Sequence, residues 1–266
     1  MCELYAMSSS KPASIHISLS EFQRHGGDTD EHADGWGLAF AEKGNVEIHR
    51  EPMPAAYSDT LGEIIEQRQP ASLVMSHIRK ATQGEISLNN TQPFRMEIEG
   101  KTHLLIHNGH LDKISERLDL RWYRPKGETD SEIAFGYLME LIKPLWLKAK
   151  ERNTPPTFQE RLDCVQLAFN RLDLLGIANI IYYDSEYLYA FGNERKQFDG
   201  SVAPPGLWYL SRHWSSIDHA HISGMSMSGQ SQEQLLFASV PLTTEYWIPL
   251  ARNQLVVAKE GRLIHK

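Results

Sequence analysis

Cys2 stands behind a single methionine, the arrangement from which methionine aminopeptidase removes Met1, because the second residue is small. Trimming exposes an α-amine on the residue that carries the thiol. With an amine pKa of about 7.7 to 8.0 and a thiol pKa of about 8.5, the amine can accept the thiol proton near neutral pH without a separate histidine base. Taken by itself, a cysteine at position 2 can equally be a matter of chance.

A nucleophile that attacks a carboxamide needs donors aimed at the developing oxyanion. His107-Asn108-Gly109, at the end of an apolar stretch, offers two, the Asn108 amide and the Gly109 backbone N–H. One such donor is typically worth about 2.7 to 4 kcal/mol in the transition state. The competing reading is an Asn-Gly turn between two strands. Arg79 leaves an apolar run into Lys80-Ala81-Thr82-Gln83-Gly84, and a planar guanidinium there suits bidentate capture of a carboxylate, although a solvated arginine is the commoner case. Asp130, at a helix start, can grip a substrate ammonium or simply favour the helix dipole. Asp34-Gly35-Trp36-Gly37 fits close backbone packing near a site, or a plain turn.

Other chemistry finds less support. His213, His219 and His221 suggest a metal, but no cysteine or carboxylate completes a ligand spacing, so no metal and no cofactor are expected. Neither usual glycine-rich phosphate loop is present, and Cys164 reads as a packing residue in a helix.

The elements that must position these groups follow from periodicity. Residues 37–41 and 46–49 flank Gly44-Asn45 as a hairpin, and 58–68 has a helical pattern. Apolar runs over 73–78 and 103–107 read as buried strands, the second ending before Asn108-Gly109. Thr129 with Glu132 predicts a capping box, followed by a helical stripe of Ala134, Leu138, Leu141, Ile142 and Leu145. A second amphipathic helix is expected over 158–175, after Thr154-Pro155-Pro156. Hairpins are expected over 178–191 and 255–265, with further strands at 207–210 and 235–240 and a serine-rich loop over 223–231. Strands, then helices, then strands point to an α+β protein with mainly antiparallel sheets in layers, read as one domain over 1–266.

Composition sets outer limits. The 266 residues carry 27 Lys and Arg against 34 acids, a formal charge of -7, with no basic run; this disfavours a nucleic-acid partner and fits small polar or zwitterionic ligands. No apolar stretch is long enough to cross a membrane, and the start lacks a basic leader and an apolar core, so a cytoplasmic location without membrane contact is expected. Two cysteines in a reducing compartment are expected to stay free thiols.

In chain order, Met1-Cys2, Ser76-His77-Ile78-Arg79-Lys80-Ala81-Thr82-Gln83-Gly84, His107-Asn108-Gly109 and Gly127-Glu128-Thr129-Asp130-Ser131-Glu132 together resemble the class II, N-terminal-nucleophile glutamine amidotransferases. The likeness is greatest to the small stand-alone bacterial members, which also show Gly35-Trp36-Gly37 and Pro241-Leu242-Thr243. It implies a four-layer αββα sandwich of the N-terminal-nucleophile hydrolase type, with Cys2 at the end of a central strand. It further implies that Cys2 is nucleophile and, through its amine, base; that Asn108 and Gly109 form the oxyanion hole; that Arg79 and Asp130 hold the carboxylate and ammonium of glutamine; and that Thr82 lines the pocket. Many synthase-fused members carry Trp and His where this chain has Lys80 and Gln83, which puts the pocket lid and its coupling to an acceptor outside the pattern.

The resemblance leads to a glutaminase that forms a Cys2 thioester and releases glutamate and ammonia. Because the chain stops after strands that read as part of the same sandwich, the acceptor is expected on a separate synthase partner, or is absent. A second reading is a γ-glutamyl amidohydrolase acting on an amide larger than glutamine, similar to the relative in ergothioneine synthesis. A third is a non-enzymatic glutamine-binding regulator that keeps the fold. Acceptor, pathway and oligomeric state are left open.

Overall fold

The computed structural model describes residues 2–14, 16–42, 44–67, 70–197, 199–214 and 232–266. Two antiparallel sheets pack face to face between helical layers. The first runs β13-β11-β12-β1-β4-β2-β3, built from β1 (Glu3–Ala13), β2 (Trp36–Glu42), β3 (Asn45–Glu51), β4 (Ala71–Ile78), β11 (Trp208–Trp214), β12 (Gln232–Ala238) and β13 (Ile248–Pro249). The second runs β15-β14-β8-β7-β6-β5, from β5 (Phe94–Ile98), β6 (Lys101–Leu111), β7 (Gly176–Tyr183), β8 (Leu188–Gly192), β14 (Gln254–Lys259) and β15 (Arg262–His265). A two-stranded ribbon, β9 (Arg195–Lys196) with β10 (Val202–Ala203), stands apart from both. Helices α1 (His16–Arg24) and α2 (Asp59–Gln67) cover the first sheet. A short α3 (Ile114–Arg117) and the long α4 (Asp130–Glu151) and α5 (Phe158–Asp173) lie on the side of the second. The expected α+β sandwich is the fold observed. None of the described helices is long and apolar enough to cross a membrane.

Alternation along the strands sorts side chains into three cores. Leu4, Ala6, Ala39, Met75, Leu104, Ile106 and Phe237 fill the layer between the sheets. Tyr5, Met7, Trp36, Leu38, Val74 and Leu236 meet Phe22, Leu61 and Ile65 of the first helical layer. Leu105, Ile180, Tyr182 and Phe191 meet Phe135, Leu138, Val165 and Phe169 of the second. Cys164 is half-buried against that last cluster, and burial pushes its thiol up to about 11.

Several elements differ from expectation. β1 was not evident from its sequence, yet it lies between β12 and β4, in register Tyr5↔Ala238 and Tyr5↔Ser76. Its serines are satisfied by long-range partners: Ser8 Oγ accepts from Gly261 N at 3.0 Å, and Ser10 Oγ accepts from Glu233 N at 2.9 Å. The strand expected to stop at His107 continues to Leu111, so Asn108 and Gly109 are not a turn but mid-ladder residues, opposite Asn179 and Ala178 of β7. The capping box at α4 is half made. Thr129 accepts from Glu132 N, but the Glu132 carboxylate turns instead to the backbone N–H groups of Lys126 and Gly127, at 2.9 and 2.6 Å. The complete box belongs to α5, at Thr157 and Glu160.

Gly37 shows how the first sheet is fitted to its surroundings. A Cβ there would lie 1.8 Å from the carbonyl oxygen of Gln92, so the side-chain-free position admits the Gln92 backbone against β2. Gln92 in turn holds β6: its Oε1 accepts from His107 N at 2.6 Å and its Nε2 donates to His107 O at 3.2 Å. Gly37→Ala should therefore cost roughly 1 to 3 kcal/mol, the range for overpacking a full core. Urea unfolding of the variant measures this, and an unchanged midpoint would refute the packing argument.

Candidate active site

Cys2 sits one residue before β1, half-buried. Its Sγ lies 3.4 Å from Lys80 N, which donates to it, and 3.5 Å from Lys80 O, to which the thiol donates. Lys80 follows Arg79 directly, beyond the end of β4. The chain here is pinned by residues 34 and 35: Arg79 N donates to Gly35 O at 2.8 Å, Asp34 N to Arg79 O at 3.0 Å, and Ala81 N to the Asp34 carboxylate at 2.7 Å. The Asp34-Gly35 segment thus fixes the backbone that contacts the thiol.

A small cavity of about 30 Å³ opens beside Cys2, bordered by Arg79, Thr82, Gln92, His107, Gly109 and Asp130 among others. Of the six residues singled out in the sequence, five border it: Cys2, Arg79, Thr82, Gly109 and Asp130. Asn108 does not. It faces the layer between the sheets, in step with Leu104 and Ile106, is 1% exposed, and neither its side-chain nitrogen nor its oxygen has a partner among the described residues. An amide held dry without a partner costs free energy, typically about 1 to 3 kcal/mol. Gly109 allows the β7 backbone to come close, since a Cβ would meet Ile177 O at 1.8 Å.

Arg79 is not a solvated arginine. It is 3% exposed, and its guanidinium donates to the carbonyls of Gln83, Gly84 and Glu85 at 2.9, 3.2 and 2.9 Å, folding its own loop around itself. Asp130 opens α4 and is held on both oxygens: Leu111 N donates to one and Ser131 N to the other, each at 2.8 Å. Its carboxylate is thereby oriented toward the cavity by β6 and by its own helix. Thr82 is exposed on the loop.

Two groups received no role from the sequence. His107 lies under the cavity floor with Nε2 3.3 Å from Ile177 O and Nδ1 2.8 Å from Ser131 Oγ. A carbonyl can only accept, so Nε2 carries the proton and Ser131 donates to Nδ1. Burial lowers the His107 pKa, which keeps this neutral form. Asn90 joins the loop of Arg79 to the approach of α4: its Nδ2 donates to Glu85 O at 3.0 Å and its Oδ1 accepts from Glu128 N at 2.8 Å. His107 opens the His107-Asn108-Gly109 motif but its imidazole acts through Ser131 and Ile177, and Asn90 lies in none of the motifs, so neither role could be read locally.

Met1, whose removal was expected, lies outside the described residues, as do His219, His221 and the serine-rich stretch 223–231. His213 is two-thirds exposed, 3.6 Å from Glu233. Among the described residues, Glu3, Asp30 and His32 place possible ligand atoms within 4.8 Å of one another. Glu3 is already engaged by His25 at 2.7 Å, which raises the His25 pKa, and it faces Arg195 at 3.9 Å, so a cation there would compete with two basic groups.

Burial raises the Cys2 pKa, against the opposing pull of the Lys80 N–H. The thiol is therefore mostly protonated at neutral pH, and the thiolate fraction grows as pH rises toward the raised pKa. Alkylation of Cys2 by iodoacetamide should accelerate by up to about tenfold per pH unit from pH 7 upward. A rate that is flat with pH, followed by peptide mapping, would contradict the raised pKa.

The chain matches the family model of class II glutamine amidotransferases over residues 1–266. A Haemophilus influenzae protein named "Putative glutamine amidotransferase" is 32% identical over 99% of this chain and 86% of its own length. The Escherichia coli protein YafJ, which carries the same description, is 30% identical over 93% of each chain. Among solved structures, a Pseudomonas aeruginosa protein titled "predicted glutamine amidotransferase" superposes with a TM-score of 0.66 at 23% identity, covering all of both chains. The Bacillus subtilis glutamine phosphoribosylpyrophosphate amidotransferase does so with a TM-score of 0.60 at 13% identity, over 98% of this chain and 48% of that one, a likeness of fold. The chain belongs to the class II glutamine amidotransferases.

Proposed function

We propose that the protein hydrolyses the side-chain amide of glutamine through a Cys2 thioester, giving glutamate and ammonia. The observation that carries this reading is the single cavity that Cys2 shares with a cation, Arg79, and a carboxylate, Asp130, the two charges that complement the α-carboxylate and α-ammonium of an amino acid. Removal of Met1 would leave the Cys2 amine as proton acceptor for the thiol. Sγ then bonds to the amide carbon, the carbonyl oxygen takes up negative charge, and the tetrahedral adduct collapses as the C–N bond breaks and the amine proton passes to the departing nitrogen. Water attacks the thioester in the second half, releasing glutamate and restoring the thiol.

Asn108 and Gly109 are assigned to the oxyanion. Support for Asn108 comes from its unpartnered, buried amide, which is costly to hold in place and would be relieved by a ligand oxygen. A cavity of about 30 Å³ has room for roughly one water, so glutamine needs the exposed loop 80–85 to give way. Arg79 would exchange loop carbonyls for the substrate carboxylate, and Thr82 would line the opened pocket. His107 and Ser131 act as positioning residues for Asp130 and Gly109. The Cys2 chemistry needs no cofactor. In a cytoplasmic setting, with all of 1–266 acting as one domain, the ammonia would pass to a separate acceptor enzyme.

Intact-mass analysis before and after exposure to 6-diazo-5-oxo-norleucine, an electrophilic glutamine analogue, should show loss of Met1 and one adduct on Cys2. Retained Met1 and no adduct would instead favour a non-enzymatic glutamine-binding regulator. Cys2→Ala should abolish glutamate release with unfolding behaviour unchanged; persistence of turnover would sink the mechanism. Asp130→Ala should weaken glutamine binding by roughly 2 to 5 kcal/mol, read as a raised KM, since it removes one side of a buried charge pair. An unaltered KM would remove Asp130 from the substrate site.

A further inference from the structure

The edge strands of the two sheets, β3 and β5, meet the approach to α4 around a cavity of about 430 Å³. Neither Cys2 nor Arg79 borders it. Four cations do, Arg50 of β3, Arg95 of β5, and Arg124 and Lys126 ahead of α4, against two carboxylates, Glu97 and Glu132. In a chain with 27 Lys and Arg against 34 acids, such an excess of positive charge is a local feature.

The two carboxylates do not neutralise it. Glu97 is taken up by Arg95 at 2.5 Å. Glu132 is already bound by the backbone N–H groups of Lys126 and Gly127 and by the hydroxyl of Tyr123, which donates to it at 3.4 Å. It is the one carboxylate left for three cations. Arg50 is half-buried and donates through Nη1 to Thr91 O at 2.8 Å, which holds its guanidinium in place. Arg124 donates through Nη1 to Tyr123 O and Leu120 O at 2.9 and 3.4 Å. The remaining nitrogens of both guanidiniums, and the Lys126 ammonium, have no partner among the described residues. Like charges gathered in one concavity repel, and its low-dielectric walls strengthen their field; a bound anion relieves both.

The cations approach from two sides, β3 and the segment before α4. A phosphoryl group presents three acceptor oxygens in a tetrahedral spread and can meet guanidinium forks from both sides, whereas a carboxylate offers two oxygens in one plane. Phe94 and Met96 of β5 add apolar surface, and the volume is ordinary for a small-molecule site. The cavity lies back to back with that of Cys2: Asn89 and Glu132 border the first, Asn90, Asp130 and Ser131 the second.

We propose that this cavity binds a small phosphate-bearing molecule, held by Arg50, Arg124 and Lys126, at a site separate from the one at Cys2.

The test is calorimetric titration of the full chain with inorganic pyrophosphate and with citrate in about 0.15 M KCl, where attraction to scattered surface charge is largely screened. Pyrophosphate should bind saturably, one per chain, and about fivefold or more tighter than citrate. Arg124→Glu and Lys126→Glu, both at exposed positions, should each weaken it by about fivefold or more, and the double variant should abolish it. Arg50→Lys, which keeps the charge and loses the fork, should weaken it by about threefold or more. Lys196→Glu reverses an exposed cation that borders a different cavity, and should leave binding within about twofold. Absence of saturable pyrophosphate binding would overturn the site. Citrate bound as tightly as pyrophosphate would overturn the assignment to phosphate, and a loss of binding in Lys196→Glu but not in Arg124→Glu or Lys126→Glu would place the anion elsewhere and overturn the proposal.

Discussion

β6 is buried over most of its length, between the inter-sheet core on one face and α4 on the other, yet its second half carries His107, Asn108 and Gly109. Polar groups in such a place must find partners or remain costly. The structure meets this with contacts from outside the strand: Gln92 holds the His107 backbone, Ser131 and Ile177 hold the imidazole, and Leu111 N holds Asp130. Asn179, opposite Asn108 in β7, donates to Asn108 O at 3.1 Å and to Glu194 O at 2.8 Å. Only the Asn108 amide is left without a partner among these groups. A polar strand end in a dry layer is thus made rigid by backbone contacts, with one group held ready.

The alternation of strands explains why these groups meet. Leu4 and Ala6 face the inter-sheet layer, and Cys2 shares their parity; Asn108 shares that of Leu104 and Ile106 in the sheet opposite. The ends of β1, β4 and β6 therefore bring Cys2, Arg79 and the segment of Asn108 and Gly109 to one edge of the sandwich. The N-terminus of α4 adds Asp130 from the outer layer. No single element could supply all of them, and this accounts for their wide separation along the chain.

Much of this was legible in the sequence, for identifiable reasons. The turn chemistry at Gly44-Asn45 and Asp184-Ser185-Glu186, the cap at Thr129 and the stripe of α4 are local signals, and the elements they predict are present. Three of the four motifs fall where an element begins or ends, before β1, after β4 and at the start of α4, while His107-Asn108-Gly109 lies within β6. β1 has no local signal of its own: only the resemblance implied a central strand beside Cys2, and its partners, β4 on one side and β12 more than two hundred residues away on the other, make it one. Asn108-Gly109 carries the same letters as a hairpin turn, and only its β7 partner decides otherwise. The engagement of Arg79 with its own loop and the Gln92 clamp on β6 have no local pattern at all. They arise when the two sheets come together.

The position of β1 has a consequence for the order of events in folding. This first strand is flanked by β4 and by β12, whose residues lie about two hundred and thirty positions later, at Gln232–Ala238. Pairings of such sequence separation are the slow ones, because the loop must close before any contact rewards it. β4 is made early and can pair with β1, but the β12 edge of β1 stays without its partner until most of the chain has been made. Ser239, which holds Leu4, follows directly after β12, with only β13, β14 and β15 still to come. The Cys2 end of β1 is therefore held on both sides only once most of the chain is present, a consequence of topology alone.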